Sequence, residues 1–523
     1  MEGESPFRRH VAWGLCCVAY LVASPYFERL NNPNENVRLW ATRAIVNRQV
    51  LNIDAEEREW GWVNDKAKNN GHVYSSKAPG TSFAGVPVLW AQTKLRRLVG
   101  LPAPDKPATT FWLRLFVVKV PLCAFLLLFA RWARRVTDSG WAADAAVIAL
   151  GLGTLLYPYG NLFVGHALAA ATAFAAFILL DDADDEARAP GTGRLLGAGL
   201  LAGVTVLFEY QAVLVSIALA VYVGIRQRRR PAAVAAFLGG ASPSVVALGA
   251  YHTALFGRPW RLPFGYIENP VFAQTAHRAG FHGLSLPHPA AFPAFLFSPS
   301  YGLFAFSPVL VLGVVGVVAL YVRGRRDERP EAVLVTVICL LMFTFLAGMS
   351  NWRAGWCVGP RYIAVVAPFL MLPMLRMWPR VERRWWMTAI AVGLLIPSVV
   401  ENVVSGALYP HYPEAFDNPI FDLAFPLIGD GYAPYGLGWL LHLPGGWSLA
   451  PLALVVAAAL ALVAAGDDPR PPRMAAHLTL AVAVASLFLL ALGAFGRTPR
   501  PSEAHAAAAV RQAWEPARSS ERN

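Results

Sequence analysis

Residues 32–54 read NPNENVRLWATRAIVNRQVLNID, and residues 64–80 read NDKAKNNGHVYSSKAPG. Both lie in a polar stretch, roughly residues 28–107, between the first and second apolar runs of the chain. It holds Glu35, Arg38, Asp54, Asp65, Lys77 and several asparagines. A connector between two spans does not need about eighty residues of charged structure, and loops of this length are usually functional. The stretch reads as one half of a site at a membrane surface.

The rest of the chain makes it a membrane protein. Of 523 residues, 56% are hydrophobic and only 15% are charged, and the mean hydropathy is +0.43. A soluble chain of this length carries more charge. Apolar runs long enough to cross a hydrocarbon core recur at roughly 10–27, 108–130, 141–160, 162–180, 194–209, 211–225, 232–256, 301–322, 331–350, 361–378, 386–405, 447–465 and 474–494. The fold class expected is an all-α polytopic membrane protein, a bundle of about thirteen transmembrane helices with a large first external loop. Residues 1–494 form a single transmembrane domain in this reading, and 495–523, rich in Ala, Ser, Pro and charge, a disordered tail. The first span lacks a small-residue cleavage site and reads as a retained helix.

The formal charge of +12 does not imply nucleic acid, because the arginines cluster in short loops. Arg131, Arg134 and Arg135, then Arg226 to Arg230, Arg323 to Arg329, and Arg376 to Arg384 all fall on one side if the N-terminus is cytoplasmic. The acidic run at 181–188 falls there too. The long loops 28–107, 257–300, 351–361 and 406–446 then share the external side. The five cysteines have no metal-ligand spacing.

Within the first loop, Asn31 or Asn32 followed by Pro33 predicts a helix start. Glu35 stands in its first turn, where the helix dipole favours the anion. That suits a general base; taken alone, it also suits an ordinary solvated acid. Tyr74, Ser75, Ser76 and Lys77 precede a Pro79–Gly80 turn, a cation among hydroxyls suited to phosphate. The stretch TSFAGVPVLWAQTKL at 81–95 reads as lying along the membrane surface. Charged and polar residues inside spans are costly and read as functional. These are His166, Glu209, Tyr251, His252, Glu401 and Asn402, all near external ends. Arg353 and Arg361, beside tryptophans in NWRAGWCVGPR, suit an anionic head group or a sugar.

These motifs resemble those of GT-C glycosyltransferases, in particular family 39 and the related aminoarabinose and protein O-mannosyl transferases. There the first external loop opens with an acidic Asp-Glu-type helix and later carries a Tyr-x-x-Lys-Pro-Pro turn. Asn34–Glu35–Asn36–Val37–Arg38 falls on the first motif and Tyr74–Ser75–Ser76–Lys77–Ala78–Pro79 on the second. NPVF at 269–272, FSPSYGLFAFSP at 297–308 and GPRY at 359–362 are similar to a bacterial branch of this superfamily. The resemblance implies a glycosyltransferase moving a hexose or pentose, with inversion, from a polyprenyl-phosphate donor to an envelope glycan, lipid or protein acceptor. The implied place is the external, periplasmic face of the bacterial inner membrane.

It carries Glu35 over as the catalytic carboxylate and Lys77 as a ligand of the lipid phosphate; Asp54 and Asp65, the other aspartates of the same loop, stand in reserve. Arg38, Tyr74, His166, Glu209, Tyr251, Arg353 and Arg361 complete the expected binding set. Asn34, Ala78 and His166 depart from the family pattern. Asn34 and His166 stand where acids are usual, so no metal ligands are assigned, and a divalent cation, Mg or Mn, is the one cofactor the family implies. Two other readings stand beside this one: a transporter or flippase of lipid-linked glycans, and a non-catalytic envelope-assembly protein. Against the transporter, the two halves show no internal repeat.

Overall fold

The computed structural model describes residues 8–27, 32–181, 190–278, 283–326, 328–381, 384–432, 434–466, 471–494 and 500–514. It is a polytopic membrane protein built almost entirely of helices. Six helical stretches among the described residues are long and apolar enough to cross a bilayer: Lys106–Val136, Pro231–Phe256, Arg329–Gly348, Trp385–Leu408, Gly445–Ala464 and Arg473–Gly493. Shorter apolar helices pack between them, including Val11–Val22, Gly140–Leu152, His166–Leu180, Thr192–Phe208 and Val213–Arg226. Small residues let these helices approach closely, as lipid-embedded bundles require. Gly199 and Gly240 lie where a Cβ would stand 1.9 Å and 2.0 Å from carbonyl oxygens of the facing helix.

The two ends of the bundle differ in chemistry. At one end the four long loops meet. Glu268 N–H donates to the Lys66 carbonyl at 3.1 Å, and Asn269 to the Asn64 side chain at 2.8 Å. Cys357 N–H donates to the Tyr412 carbonyl at 3.1 Å, and Ser350 N–H to the Gly283 carbonyl at 2.9 Å. At the other end sit the arginine-rich connections. Arg376 pairs with Glu331 at 2.8 Å and Asp181 at 3.0 Å, Arg380 pairs with Glu328 at 2.8 Å, and Arg134 pairs with Asp144. The acidic run beyond Asp181, and His282 in the second long loop, lie outside the described residues.

The first loop is built from helices and one hairpin. Helix Pro33–Arg48 is followed by helix Asp54–Trp60 and then by strands Lys66–Asn69 and His72–Ser75. The strands pair antiparallel, Lys66 opposite Ser75. Asn70 (φ 49°) and Gly71 (φ 83°) make the two-residue turn, the left-handed pair that matches strand twist. Helix Gly80–Leu98 then exposes Phe83, Trp90, Leu95 and Leu98, which agrees with a surface-lying element.

One expectation is corrected. The C-terminal region does not all read as a disordered tail, since Pro501–Ala513 is a helix. Proline begins it, Glu503 returns its side chain to the Arg500 backbone at 3.2 Å, and an alanine-rich body continues it. Trp514 at its end is buried against Phe27, Tyr409 and Tyr432.

Candidate active site

Helix Pro33–Arg48 organises the site. Asn32 caps it, its side chain accepting from the Glu35 amide at 3.4 Å, and Pro33 fills the first helical position. The capped first turn is buried, so its charged residues face partners rather than water. Glu35 is 4% exposed. Arg114 grips it through both oxygens, Nε to Oε1 and Nη2 to Oε2, each at 2.6 Å. The Phe163 amide also donates to Oε1 at 2.6 Å. Burial alone would raise the Glu35 pKa. The Arg114 charge and hydrogen bonds, with the Phe163 amide, outweigh it and hold the carboxyl below its ordinary value.

Arg114 is absent from the residues expected at the site, yet it holds Glu35. It sits in a π-helical stretch, Arg114–Lys119, inside the long helix Lys106–Val136. Lys119 from the same stretch donates to the carbonyls of Tyr20 and Ala23 at 2.8 Å and 2.5 Å. The signal was present: two cations inside the apolar run FWLRLFVVKVPLCAF are costly in lipid and need inward partners.

A second cluster lies on another side of the same helix. Arg38, fully buried, donates from Nη2 to Glu209 Oε1 at 2.9 Å and from Nη1 to the Asn34 carbonyl at 2.8 Å. Glu209 stands at the break between helices Thr192–Phe208 and Val213–Arg226, the break expected around Glu209–Tyr210–Gln211. His166 begins helix His166–Leu180, with Nδ1 3.4 Å from Glu209 Oε1. Its ring sits between Tyr159 and Tyr362, at 5.1 Å and 6.0 Å. Gly165 makes the approach feasible, for a Cβ there would stand 2.2 Å from the Phe208 carbonyl oxygen and 2.7 Å from Glu209 Oε1.

The hairpin brings in Asp65 and Lys77, paired at 3.0 Å. Ser76 Oγ donates to the Asp65 carbonyl at 2.8 Å and anchors the turn. Arg361 enters from the third loop. It donates to the Ala354 carbonyl at 2.9 Å and covers the Tyr362 ring at 5.4 Å. Burial opposes ionisation of Asp65, yet the charges of Lys77, Arg361 and Arg38 hold its carboxyl below the ordinary range. Arg38, Asp65, Lys77, His166, Glu209 and Arg361 thus share one electrostatic neighbourhood.

The remaining expected residues lie elsewhere. Asp54 braces the hairpin, accepting from the Val73 amide at 2.7 Å and meeting His72 Nδ1 at 2.6 Å. Tyr74 and Tyr251 belong to an apolar cluster with Ala67, Leu255 and Phe256 beneath the hairpin. Arg353 lies over the Tyr301 ring at 5.8 Å. His252 meets the Tyr210 hydroxyl at 3.1 Å, and Asn402 is spent on the Phe306 and Ser398 carbonyls.

What the six-residue cluster can do follows from its charge. Three cations face two carboxylates, and Arg361 has no carboxylate partner among the described residues. Arg38 Nε, Arg361 Nε and both His166 ring nitrogens are buried without a hydrogen-bond partner. Buried polar nitrogens are normally satisfied, and a group of them at one place marks a site for an acceptor. The donor set suits an anion with several oxygens. It does not suit a divalent cation, since each carboxylate already faces Lys77, Arg38 or Arg114, and the described residues hold no metal-ligating cluster.

No protein-family model and no curated protein matches the chain. Solved structures do. The chain is similar to the oligosaccharyltransferase of Archaeoglobus fulgidus tethered to an acceptor peptide, at 12% identity and a TM-score of 0.50, over 78% of this chain and 56% of the other. It therefore spans little more than half the length of that enzyme. It is also similar to ArnT of Cupriavidus metallidurans bound to undecaprenyl phosphate, at 15% identity and a TM-score of 0.47, over 97% of this chain and 78% of that one. A third likeness is to the arabinosyltransferase EmbB of Mycobacterium smegmatis, at 14% identity and a TM-score of 0.43, over 94% and 41%. At such identities the likeness is one of fold, and the Archaeoglobus match carries it: the polytopic bundle shares the fold of that structure's membrane domain.

Proposed function

We propose that this protein is an integral-membrane glycosyltransferase that takes a sugar from a polyprenyl-phosphate donor and passes it, with inversion, to an acceptor hydroxyl at the extracytoplasmic face of a bacterial inner membrane. The observation that carries this reading is the buried cluster with surplus positive charge and unbonded nitrogens on Arg38, His166 and Arg361. A lipid phosphate supplies the missing acceptors. The fold supports the same reading, because the Archaeoglobus neighbour is an oligosaccharyltransferase.

In this account Lys77 and Arg361 receive the phosphate, with Arg38 behind them. The acceptor O–H gives its proton to a carboxylate as the oxygen bonds to the anomeric carbon. The bond from that carbon to the phosphate oxygen breaks, and polyprenyl phosphate leaves with the electron pair. The cations stabilise the charge that develops on it. We assign the base to Asp65. Glu35 has both oxygens engaged by Arg114 and one by the Phe163 amide, whereas the Asp65 carboxylate makes one ion pair, with Lys77 at 3.0 Å, and feels Arg361 and Arg38 from farther away. A phosphate that draws Lys77 and Arg361 to itself relieves the pull on Asp65 and makes it a better base.

The test compares Asp65→Asn, Glu35→Gln, Asp54→Asn and Lys77→Ala for transfer from a polyprenyl-phosphate sugar by purified protein. Asp65→Asn is expected to lose about 10²–10⁴-fold in kcat, the usual worth of a general base. Lys77→Ala is expected to raise donor KM. Asp54→Asn is expected to retain turnover. A folded Glu35→Gln variant that is dead beside an active Asp65→Asn returns the base to Glu35.

A further inference from the structure

The helix Gly80–Leu98 has two unlike faces. Thr81, Ser82, Gly85 and Leu89 are buried. Thr42 Oγ1 donates to the Ser82 carbonyl and Ser82 Oγ to the Arg38 carbonyl, each at 3.1 Å. Gly85 permits this approach, since a Cβ there would stand 2.9 Å from the Thr42 methyl group. This face clamps the helix to the one that carries Arg38. The other face exposes Phe83, Trp90, Lys94, Leu95, Arg97 and Leu98.

Charge is the first sign of what covers that face. Residues 66–104 hold Lys66, Lys68, Lys77, Lys94, Arg96 and Arg97 and neither Asp nor Glu. In the topology that the arginine loops predict, this segment is external, on the side where lysine and arginine are otherwise scarce. Lys66 and Lys77 are balanced by Glu57 and Asp65. Arg96 Nε donates to the Pro102 carbonyl at 2.7 Å and closes the turn after the helix. Lys94 lies over the exposed Trp90 ring at 5.9 Å. Neither it nor Arg97 has a carboxylate partner among the described residues.

Depth is the second sign. Asp105 caps the membrane helix Lys106–Val136 at its start. Counted back from Arg131 at the arginine-rich end, about 20 residues cross a hydrocarbon core of about 30 Å. That count ends at Phe111 and Trp112, both exposed, as aromatics at a membrane interface are. Lys106 then stands about 8 Å beyond the core, within the headgroup layer. Only a short turn joins it to Leu98, so the basic end of the surface helix sits at headgroup level. Leu98 is 83% exposed and, with Leu95, supplies apolar surface for the acyl boundary.

We propose that Lys94, Arg97 and this exposed face form a docking surface for the anionic phospholipid headgroups of the outer leaflet. Docking fixes the depth of Lys77, which lies just before Gly80 on the same rigid segment. Only this effect on Lys77 rests on the glycosyltransferase reading above.

The experiment reconstitutes the full chain in phosphatidylcholine mixed with phosphatidylglycerol, exchanges it into detergent, and identifies the retained phospholipid by mass spectrometry. Donor turnover is measured in nanodiscs of the mixture and of phosphatidylcholine alone. Wild type is expected to retain phosphatidylglycerol in excess of its share of the mixture. Lys94→Gln with Arg97→Gln is expected to lose about fivefold of that preference for each cation removed, the worth of one basic residue at an anionic surface. Arg96 stays in place because it holds the turn. Lys94→Arg with Arg97→Lys should keep the preference. Wild-type donor KM should be lower in the mixture than in phosphatidylcholine, and the glutamine variant should match wild type in phosphatidylcholine and gain nothing from the mixture. Equal retention of phosphatidylglycerol by wild type and the glutamine variant overturns the proposal. So does a glutamine variant whose donor KM rises in phosphatidylcholine alone, which gives these cations to the donor's own phosphate. A change from dimer to monomer in the variant also overturns it and makes the face a contact between copies. A phosphatidylglycerol preference that the variant loses, in a protein that turns over no donor, keeps the docking surface and removes the transferase.

Discussion

Among single residues, the burial of Glu35 decides most. Its sequence position, first turn of a capped helix, was legible from Asn32, Pro33 and the acid that follows. Its partner was not, because Arg114 lies 79 residues away inside an apolar run, and sequence spacing does not report contacts made by folding. The pair predicts a stability effect. Glu35→Gln leaves a guanidinium buried without its counter-charge, a loss worth about 3–5 kcal/mol, read by thermal or denaturant unfolding in detergent. The pH dependence has a definite sign. A carboxyl whose folded pKa is depressed stabilises the fold above its unfolded pKa, about 4.3 for glutamate. That contribution is lost as pH falls through the folded value. Wild type should lose stability on acidification below about pH 4, and the Gln variant should show a shallower acid slope. Equal acid slopes would mean that the Arg114 pair contributes nothing net. Arg38, Asp65, Lys77, His166, Glu209 and Arg361 were all visible in the sequence, since each is a polar side chain in a place where lipid or a long loop makes it costly or conspicuous. Tyr74 and Tyr251 were equally visible, but their apolar bodies won and put them in packing.

Between residues and the whole, the elements were legible in uneven measure. The apolar runs 194–209 and 211–225 meet at Tyr210, and the structure breaks there, after Phe208. The Asn70–Gly71 turn carries a strong hairpin signal, yet the flanking Lys66–Asn69 and His72–Ser75 strands are too short and polar to advertise themselves. The C-terminal helix has a proline start and an alanine body; its composition masked them, and Trp514 supplies the buried contact that holds it. At this scale the tightest constraint is the crossing of helix His166–Leu180 against the end of Thr192–Phe208. Gly165→Ala puts a methyl group into the Phe208 carbonyl and the Glu209 carboxylate. Overpacking of this kind costs about 1–3 kcal/mol. It should also weaken donor binding, because Glu209 positions Arg38. A Gly165→Ala protein with wild-type melting temperature and donor KM would show that this contact does not set the cluster.

For the molecule as a whole, the two ends of the bundle differ in chemistry. Arginine placement predicts that these loops share a side, and hydrogen bonds from Asn64, Lys66, Gly283 and Cys357 join one loop to another. The side itself is a prediction. Cysteine at the exposed Lys68 should react with an impermeant thiol reagent in intact cells, and cysteine at the exposed Arg228 only after the membrane is opened; the reverse pattern would invert the topology. What no pattern in the chain revealed is the surplus of unbonded nitrogens, because it depends on three segments meeting: the first loop, the start of helix His166–Leu180, and GPRY at 359–362. That surplus is the central claim, and turnover tests it most directly. Purified wild-type protein in nanodiscs should consume a polyprenyl-phosphate sugar and release polyprenyl phosphate in step with a glycoside of inverted anomeric configuration. Movement of the intact lipid-linked sugar across the bilayer, with no cleavage at the anomeric carbon, would contradict the account and make the protein a flippase.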